Sequence, residues 1–424
     1  MKDGTGLIIA APASGSGKTT ITLGLLRALK RQGVAVRGAK SGPDYIDPRF
    51  HEAASGSACF NLDAWAMPPE RIKALAAGKA PLIIEGAMGL FDGAPPDGRG
   101  SVAELARLLE LPVILVIDAA RMAQSVAPIV EGFARHDPKV HIAGVILNKV
   151  GSARHETILR RALAPLGLPV LGAVLRRSTI ETPSRHLGLV QAQERDDLEC
   201  FIDHAANIVT QSVDIETLST LATLIQRADF SRKIAPPAQQ IAIAQDHAFA
   251  FAYPHLQQDW RAAGAEITGF SPLADQPVPE CDFVFLPGGY PELYAGQLAQ
   301  AQTFMTSLRA HAQTKPVYGE CGGYMVLGQG LIDASGTHHA MAGLLDLETS
   351  FAARKLHLGY RSLHATQGHF QGAWRAHEFH YASTLRAKGT ALFQASDAEG
   401  IALPDMGLIN GPVSGSFAHI IDCA

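Results

Sequence analysis

Along the first half of the chain, short uninterrupted apolar runs alternate with stretches whose apolar residues recur at helical spacing. The runs are Leu7–Ala11, Val34–Gly38, Leu82–Ile84, Val113–Ile117, Ile142–Leu147 and Val170–Val174. Runs this short, with no polar alternation, predict strands buried on both faces. Between them, Thr19–Arg31, Ser101–Leu109 and Arg154–Leu166 predict amphipathic helices. Strand, helix, strand in repetition predicts an α/β fold, a parallel sheet covered by helices, with ligands at the carboxyl ends of the strands. The pattern breaks at Ser231–Gln240 (SRKIAPPAQQ), where paired prolines and polar residues predict a linker, residues 231–240, between one domain over 1–230 and another over 241–424. Strand-like runs resume at Ile241–Ala244, Phe283–Leu286 and Pro316–Tyr318, and each precedes a turn carrying polar residues.

Composition narrows the picture. A length of 424 residues accommodates two domains, and 47% hydrophobic with 18% charged residues fills globular cores and excludes a disordered chain. The net charge of −4 supplies no bulk attraction for nucleic acid or an anionic membrane, so neither is expected as a partner. No apolar run approaches the roughly 18 residues that span a bilayer. The five cysteines, Cys59, Cys200, Cys281, Cys321 and Cys423, are scattered without a CxxC pair, which argues against a disulfide framework or a zinc ribbon. A cytoplasmic enzyme is the expectation.

Chemistry enters first at Ala11-Pro-Ala-Ser14-Gly15-Ser16-Gly17-Lys18-Thr19-Thr20, which follows the first strand and opens the first helix. Glycines 15 and 17 let backbone N–H groups wrap an anion, Lys18 reaches outer phosphates, and the Thr19 hydroxyl can ligate Mg²⁺. Pro12 stands where the strict phosphate-loop pattern has glycine, so this is a variant loop. A nucleotide-bound metal needs acids, and Glu85 ends the Leu82–Ile84 run while Lys40-Ser-Gly-Pro-Asp44-Tyr45-Ile-Asp47-Pro follows the second. Turn chemistry is the plainer reading of an aspartate beside proline. Asp92 and Asp97 lie in and just beyond the glycine-rich GAMGLFDG segment, which either approaches a substrate or is a solvated turn. Asn148 ends another buried strand, and Val150-Gly151 after Lys149 departs from the guanine-reading NKxD, which favours adenine.

The second candidate centre is Gly319-Glu-Cys321-Gly-Gly323, a strand, an abrupt turn and a helix in the pattern Gly-x-Cys-x-Gly. Small flanking residues expose a nucleophile at a helix N-terminus, whose partial charge favours thiolate. Gly288 and Gly289 follow another strand, where their N–H groups can cradle an oxyanion, and His419 in Gly-Ser-Phe-Ala-His is a candidate base. The segment His377-Glu-Phe-His-Tyr381 has metal-like spacing, but period-two alternation puts Glu378 and His380 on one strand face and His377 on the other, which disfavours a shared ion, and no zinc is predicted. His338-His339 is expected in an exposed turn.

Together, Cys321 in its glycine frame, the PGGYPE turn, HEFHY and GSFAHIID resemble the triad-type class I glutamine amidotransferase domain of cobyric-acid-pathway enzymes. The variant phosphate loop with SGPDYIDP and EGAMGLFDG resembles the dethiobiotin-synthetase-like half of the a,c-diamide synthases for cobyrinate and hydrogenobyrinate. The resemblance covers essentially the whole chain. It implies ATP- and glutamine-dependent amidation of the a and c acetates of a corrin macrocycle through acyl phosphates. Thr19, Asp47 and Glu85 then serve Mg²⁺, and Lys40, Asp44, Tyr45, Asp92 and Asp97 meet substrate. Cys321 attacks glutamine, Gly289 holds the oxyanion, and ammonia passes within the protein. Ile421 stands where many such amidotransferases carry the third, acidic member, leaving Asp422, Glu378 or none to orient His419. A homodimer is compatible with the family and not decided by any residue. The alternatives are a diamide synthase for another tetrapyrrole, such as nickel-sirohydrochlorin, and a phosphate-loop ATPase with an inactive amidotransferase-like regulatory domain.

Overall fold

The main sheet of the first unit is built, among the described residues, on β1 (Thr5–Ala10), β2 (Arg37–Ser41), β3 (Phe60–Leu62), β4 (Leu82–Glu85), β5 (Val113–Asp118), β6 (Ile142–Val150) and β7 (Val170–Leu175). In the computed structural model, which describes residues 1–176, 191–228, 230 and 233–424 and the backbone of 184–185 and 188–189, the chain divides into units Met1–Phe230 and Ser231–Ala424. The first sheet runs β3-β2-β4-β1-β5-β6-β7, all parallel, and a short antiparallel strand, Thr223–Leu224, pairs with the start of β1. Its central residues Leu7, Ile8, Ile9 and Val113–Ile117 are buried, which is why these runs lack alternation.

The expected second strand, Val34–Gly38, lies three residues too early. Gly33 (φ 81°) ends α1 (Lys18–Arg31), Val34–Val36 form the connection, and pairing begins at Arg37. The register then continues through polar Lys40, which sits opposite Glu85 on β4, while Ile9 of β1 also pairs with Glu85. Hydrophobicity misled here because the strand's last residues belong to a polar site. Chain order reverses around β1 and β4, which puts the phosphate loop, Lys40 and Glu85 together at the carboxyl ends of neighbouring strands, the place where such sheets bind ligands.

The second unit is built on a sheet in the order Glu266–Phe270, Gln240–Ala244, Phe283–Leu286, Val317–Glu320, Val413–Ser416, Leu408–Asn410, with only the last strand antiparallel. The three sequence-predicted runs are its neighbours in space. A five-stranded antiparallel sheet that the sequence pattern had not suggested lies beside it, including His357–Ala365, Gly372–His380 and Ala418–Cys423. Its register sets His377 directly opposite His419. His338 and His339, expected in a turn, instead form an edge strand, His338–Ala340, with His339 bonded to Asp333 at 2.8 Å. Among the described residues, no helix is long and apolar enough to cross a membrane.

Candidate functional site

Each unit brings one set of polar side chains together. In the first, Gly17 takes φ 91° at the start of α1, a left-handed turn that a side chain resists. A Cβ there would also lie 2.1 Å from Asn148 Nδ2, because that amide clasps the loop by donating to the Ser16 carbonyl at 2.9 Å. Asn148 Oδ1 accepts from the Lys149 N–H, so one donor and one acceptor of the amide serve the loop and its neighbour. Ser14 and Gly15 are exposed at the loop tip, and Thr20 is half-buried just inside α1.

Lys18 donates to the carbonyls of Ala13 and Met88 at 3.2 and 2.6 Å. Burial and the nearby Lys40 bring its pKa down to about 8. Lys40 lies between two carboxylates, 2.6 Å from Asp47 and 2.8 Å from Glu85. Glu85 also accepts from Thr19 Oγ1 at 2.6 Å and meets His51 Nε2 at 2.7 Å. Burial alone would raise the Glu85 carboxyl, but Lys40 and His51 outweigh it and hold the group well below the usual range. Burial and Asp44 push Asp47 up, so Glu85 is the firmly ionised partner of Lys40. Two carboxylates thus flank the Lys40 ammonium, and the Thr19 hydroxyl reaches the Glu85 oxygen that Lys40 also meets. Hard oxygen donors of this kind suit Mg²⁺.

The other expected substrate residues divide. Asp44 performs the turn chemistry of the plainer reading, its Oδ1 accepting from Ile46 N and Asp47 N at the start of α2 (Asp47–Ser55), yet its charge also acts on Lys40 and Asp47. Tyr45 is buried beside it in sequence. Asp92 accepts from Gly89 N at 2.9 Å and contributes to the field at Lys18. Asp97 lines a cavity of about 460 Å³ with Arg99, Arg107 and His136, whose lining includes none of Lys18, Lys40 or Glu85. Sequence reasoning missed His51, which only the fold brings to Glu85, and the Asp118–Lys149 pair, whose lysine donates to the Gly15 carbonyl at 2.8 Å.

In the second unit, Cys321 has φ 46° and ψ −103° between the Val317–Glu320 strand and the Gly322–Leu327 helix, the sharp backbone turn expected of an exposed nucleophile. Its N–H donates to the Ser416 carbonyl at 2.8 Å, and Gly323 N–H donates to Pro287 O at 3.1 Å, which ties the turn to the glycine pair. A Cβ on Gly288 would lie 2.2 Å from His419 Cε1, 2.9 Å from Nε2 and 3.2 Å from Cys321 Cβ. The histidine edge, the cysteine and Gly288 therefore share one small space. The Gly289 nitrogen lies 3.0 Å from where a Cβ of Gly322 would stand, next to the helix start.

The expected thiolate is not what this resting pocket favours. Burial first, and then the Glu292 carboxylate, push the Cys321 thiol well up. Six residues of helix do not overcome that, so deprotonation requires a base acting with the attack. Burial lowers His419 to about 3, leaving it neutral and able to accept a proton. Of the two acids expected to orient it, Glu378 is shared between Arg361 at 2.8 Å and His380 at 2.9 Å, and Asp422 Oδ1 accepts from Cys423 N. Among the described residues, the carboxylate within ion-pair distance is Glu320, whose Oε2 is 3.6 Å from His419 Nδ1. His357, opposite His380 in the sheet, brings potential metal-ligating atoms of His357, Glu378 and His380 within 4.8 Å of one another, a cross-strand grouping that single-strand alternation does not reveal.

Two family models match the chain, one within each unit. A CobQ/CobB/MinD/ParA nucleotide binding domain matches residues 7–190, and a CobB/CobQ-like glutamine amidotransferase domain matches residues 240–422. Among curated relatives, the hydrogenobyrinate a,c-diamide synthase of Brucella anthropi is 56% identical, with 98% of each chain covered. The protein of that name from a Sinorhizobium species is 53% identical with 99% of each covered, and that of Mesorhizobium japonicum 51% identical with 98% of each covered. With both domains matched and identity above half over nearly its whole length, the chain belongs to the hydrogenobyrinate a,c-diamide synthase family of glutamine-dependent ligases.

Proposed function

We propose that this protein converts the a and c acetate carboxylates of hydrogenobyrinate to amides, using ATP to activate each acid and glutamine as the nitrogen source. The observation that carries the proposal is the convergence of Cys321, His419 and Gly288 in a chain whose other unit gathers Lys18, Thr19, Lys40, Asp47 and Glu85 at a phosphate loop. A carboxylate does not exchange oxide for ammonia at neutral pH. Attack of a carboxylate oxygen on the terminal phosphorus of ATP releases ADP and leaves an acyl phosphate, from which ammonia displaces phosphate.

Backbone N–H groups of Gly15 and Gly17 with Lys18 bind the phosphates, and Lys40 steadies the negative charge of the reacting acid. Thr19, Asp47 and Glu85 would hold Mg²⁺, which when bound neutralises phosphate charge. In the second unit His419 takes the Cys321 proton as sulfur attacks the glutamine carboxamide, and the N–H groups at Gly288 and Gly289 meet the developing oxyanion. Collapse of that intermediate expels ammonia, His419 returning the proton to the leaving nitrogen, and water then releases glutamate from the thioester.

Product mass spectrometry with hydrogenobyrinate and cobyrinate offered separately tests the substrate. Gain of two amide nitrogens on the metal-free macrocycle is the expected result, and amidation of the cobalt form alone would overturn that assignment. Cys321→Ala should lose glutamine-driven amidation while keeping activity with added ammonium, whereas Lys18→Ala should fail with both donors. Equal loss with both donors in the cysteine variant would refute the division of labour.

A further inference from the structure

We propose that Glu320, the residue immediately before the nucleophile, is the positioning acid of the amidotransferase centre and holds His419 through Nδ1. The inference rests on Cys321 as nucleophile and His419 as its base. A histidine that accepts a proton at Nε2 needs a partner at Nδ1 to fix its tautomer and to balance the imidazolium as it forms. Here the Cε1–Nε2 edge of His419 faces Gly288 and the Cys321 side, and Nδ1 faces Glu320 Oε2 at 3.6 Å. The other oxygen, Oε1, accepts from the N–H of Ile420 at 3.1 Å. The carboxyl is therefore anchored to the strand that carries the base, one residue from it.

Among the described residues, Glu320 forms no other ion pair. It is 2% exposed, and among the described residues no lysine or arginine forms an ion pair with it. An acid buried without a cation is costly, and an amide or apolar side chain would fill the space at lower cost unless the charge has a use. The groups acting on His419 from the strands around it are His377, His380 and Glu378, with the Phe251 backbone as a further hydrogen-bond partner. Of these, Glu378 is already shared between Arg361 and His380. At 3.6 Å the Glu320 contact is longer than a hydrogen bond and shortens as positive charge arrives on the ring. Burial raises Glu320 to about 8 and lowers His419 to about 3, so each charge is penalised alone, and an imidazolium that forms beside an ionised Glu320 offsets both penalties. In the enzyme form with Glu320 already ionised the proton balance is simple: the S–H bond of Cys321 breaks, Nε2 gains the proton, sulfur bonds to the carboxamide carbon, and Glu320 keeps its charge throughout.

Two variants of the full chain test this, Glu320→Gln and Glu320→Asp. Glutamine hydrolysis is measured as kcat and KM, alongside amidation driven by ammonium. Glu320→Gln keeps an acceptor for Ile420 and should lower kcat for glutamine hydrolysis by about 10²-fold or more with KM changed less than about twofold. Ammonium-driven amidation should be unchanged. If the glutamine variant fails to fold, Glu320→Asp decides alone: drawing the carboxylate back by one methylene should cost roughly tenfold in kcat at constant KM. Wild-type kcat in either folded variant overturns the proposal and leaves Glu320 as an acceptor for Ile420 only, with the Phe251 backbone sufficient for His419. Cys321→Ala is run beside them, and residual hydrolysis there would instead overturn the nucleophile.

Discussion

Replacing Gly288 with alanine isolates the geometry of the glutamine-cleaving centre. Gly288 is not among the glycines at positive φ, so the backbone tolerates alanine and the whole effect comes from one added methyl group. That methyl would stand 2.2 Å from His419 Cε1 and 2.9 Å from Nε2, where ordinary contact begins at 3.4 Å. His419 is fully buried and cannot swing into solvent, so its ring must shift by about 1 Å, and a misplacement of that size costs about 10²-fold in rate. Expressed as barrier height, this is roughly 2.7 kcal/mol. The assay follows glutamate release from glutamine and, separately, amidation with ammonium in the same preparation. Glutamate release should fall about 100-fold while ammonium-driven turnover stays within about twofold. Gly289→Ala is the contrast, because its methyl would press to 2.0 Å on the Ala248 carbonyl, which is backbone, and should destabilise the fold itself. Glutamate release within about threefold of wild type for a folded Gly288→Ala enzyme would refute the claim that His419 and Cys321 share that space.

Two further outcomes follow from buried charge. Lys40→Met removes the ammonium from between Asp47 and Glu85, so Mn²⁺, used in place of Mg²⁺ for its paramagnetic signal, should bind the nucleotide-free protein about tenfold more tightly, or ~1.4 kcal/mol. Equal or weaker binding would mean that these carboxylates do not form the cation site. Burial, with Arg361 next, lowers His377 to about 3 from the ordinary 6.5, so the unfolded chain binds the extra proton first as pH falls. The stability this neutral histidine contributes is present above pH 6.5 and is lost towards pH 3. Urea titrations followed by tryptophan fluorescence should therefore show wild type losing ground to His377→Asn by up to ~1.4 kcal/mol per pH unit in that window, and parallel curves would refute it.

Much of the candidate site could be read because its chemistry is local. Gly15 to Thr19 and Gly319 to Gly323 each place a reactive side chain within a few residues of the glycines that shape its turn, and local spacing survives in sequence. What escaped depends on register. His51 meets Glu85 across 34 positions, and His357 meets His380 only because two antiparallel strands pair in one frame. Glu320 sat inside the Gly-x-Cys motif itself as the variable position, and nothing in the linear pattern revealed that the strand bearing His419 returns to it. The second strand was misplaced for a related reason, since Lys40 and Ser41 occupy sheet positions that apolar content would not select.

The raised thiol at Cys321 has a consequence for survival in a cell that meets peroxide. Oxidants attack thiolate, not thiol, and they attack what they can reach. A sulfur that is 1% exposed and held protonated by its pocket is shielded from sulfenic acid formation until glutamine arrives, whereas Cys200 lies in the open on the first unit. Mild oxidation should therefore mark Cys200 first and leave nitrogen release intact, so that the burial which makes the nucleophile sluggish at rest also preserves it between turnovers.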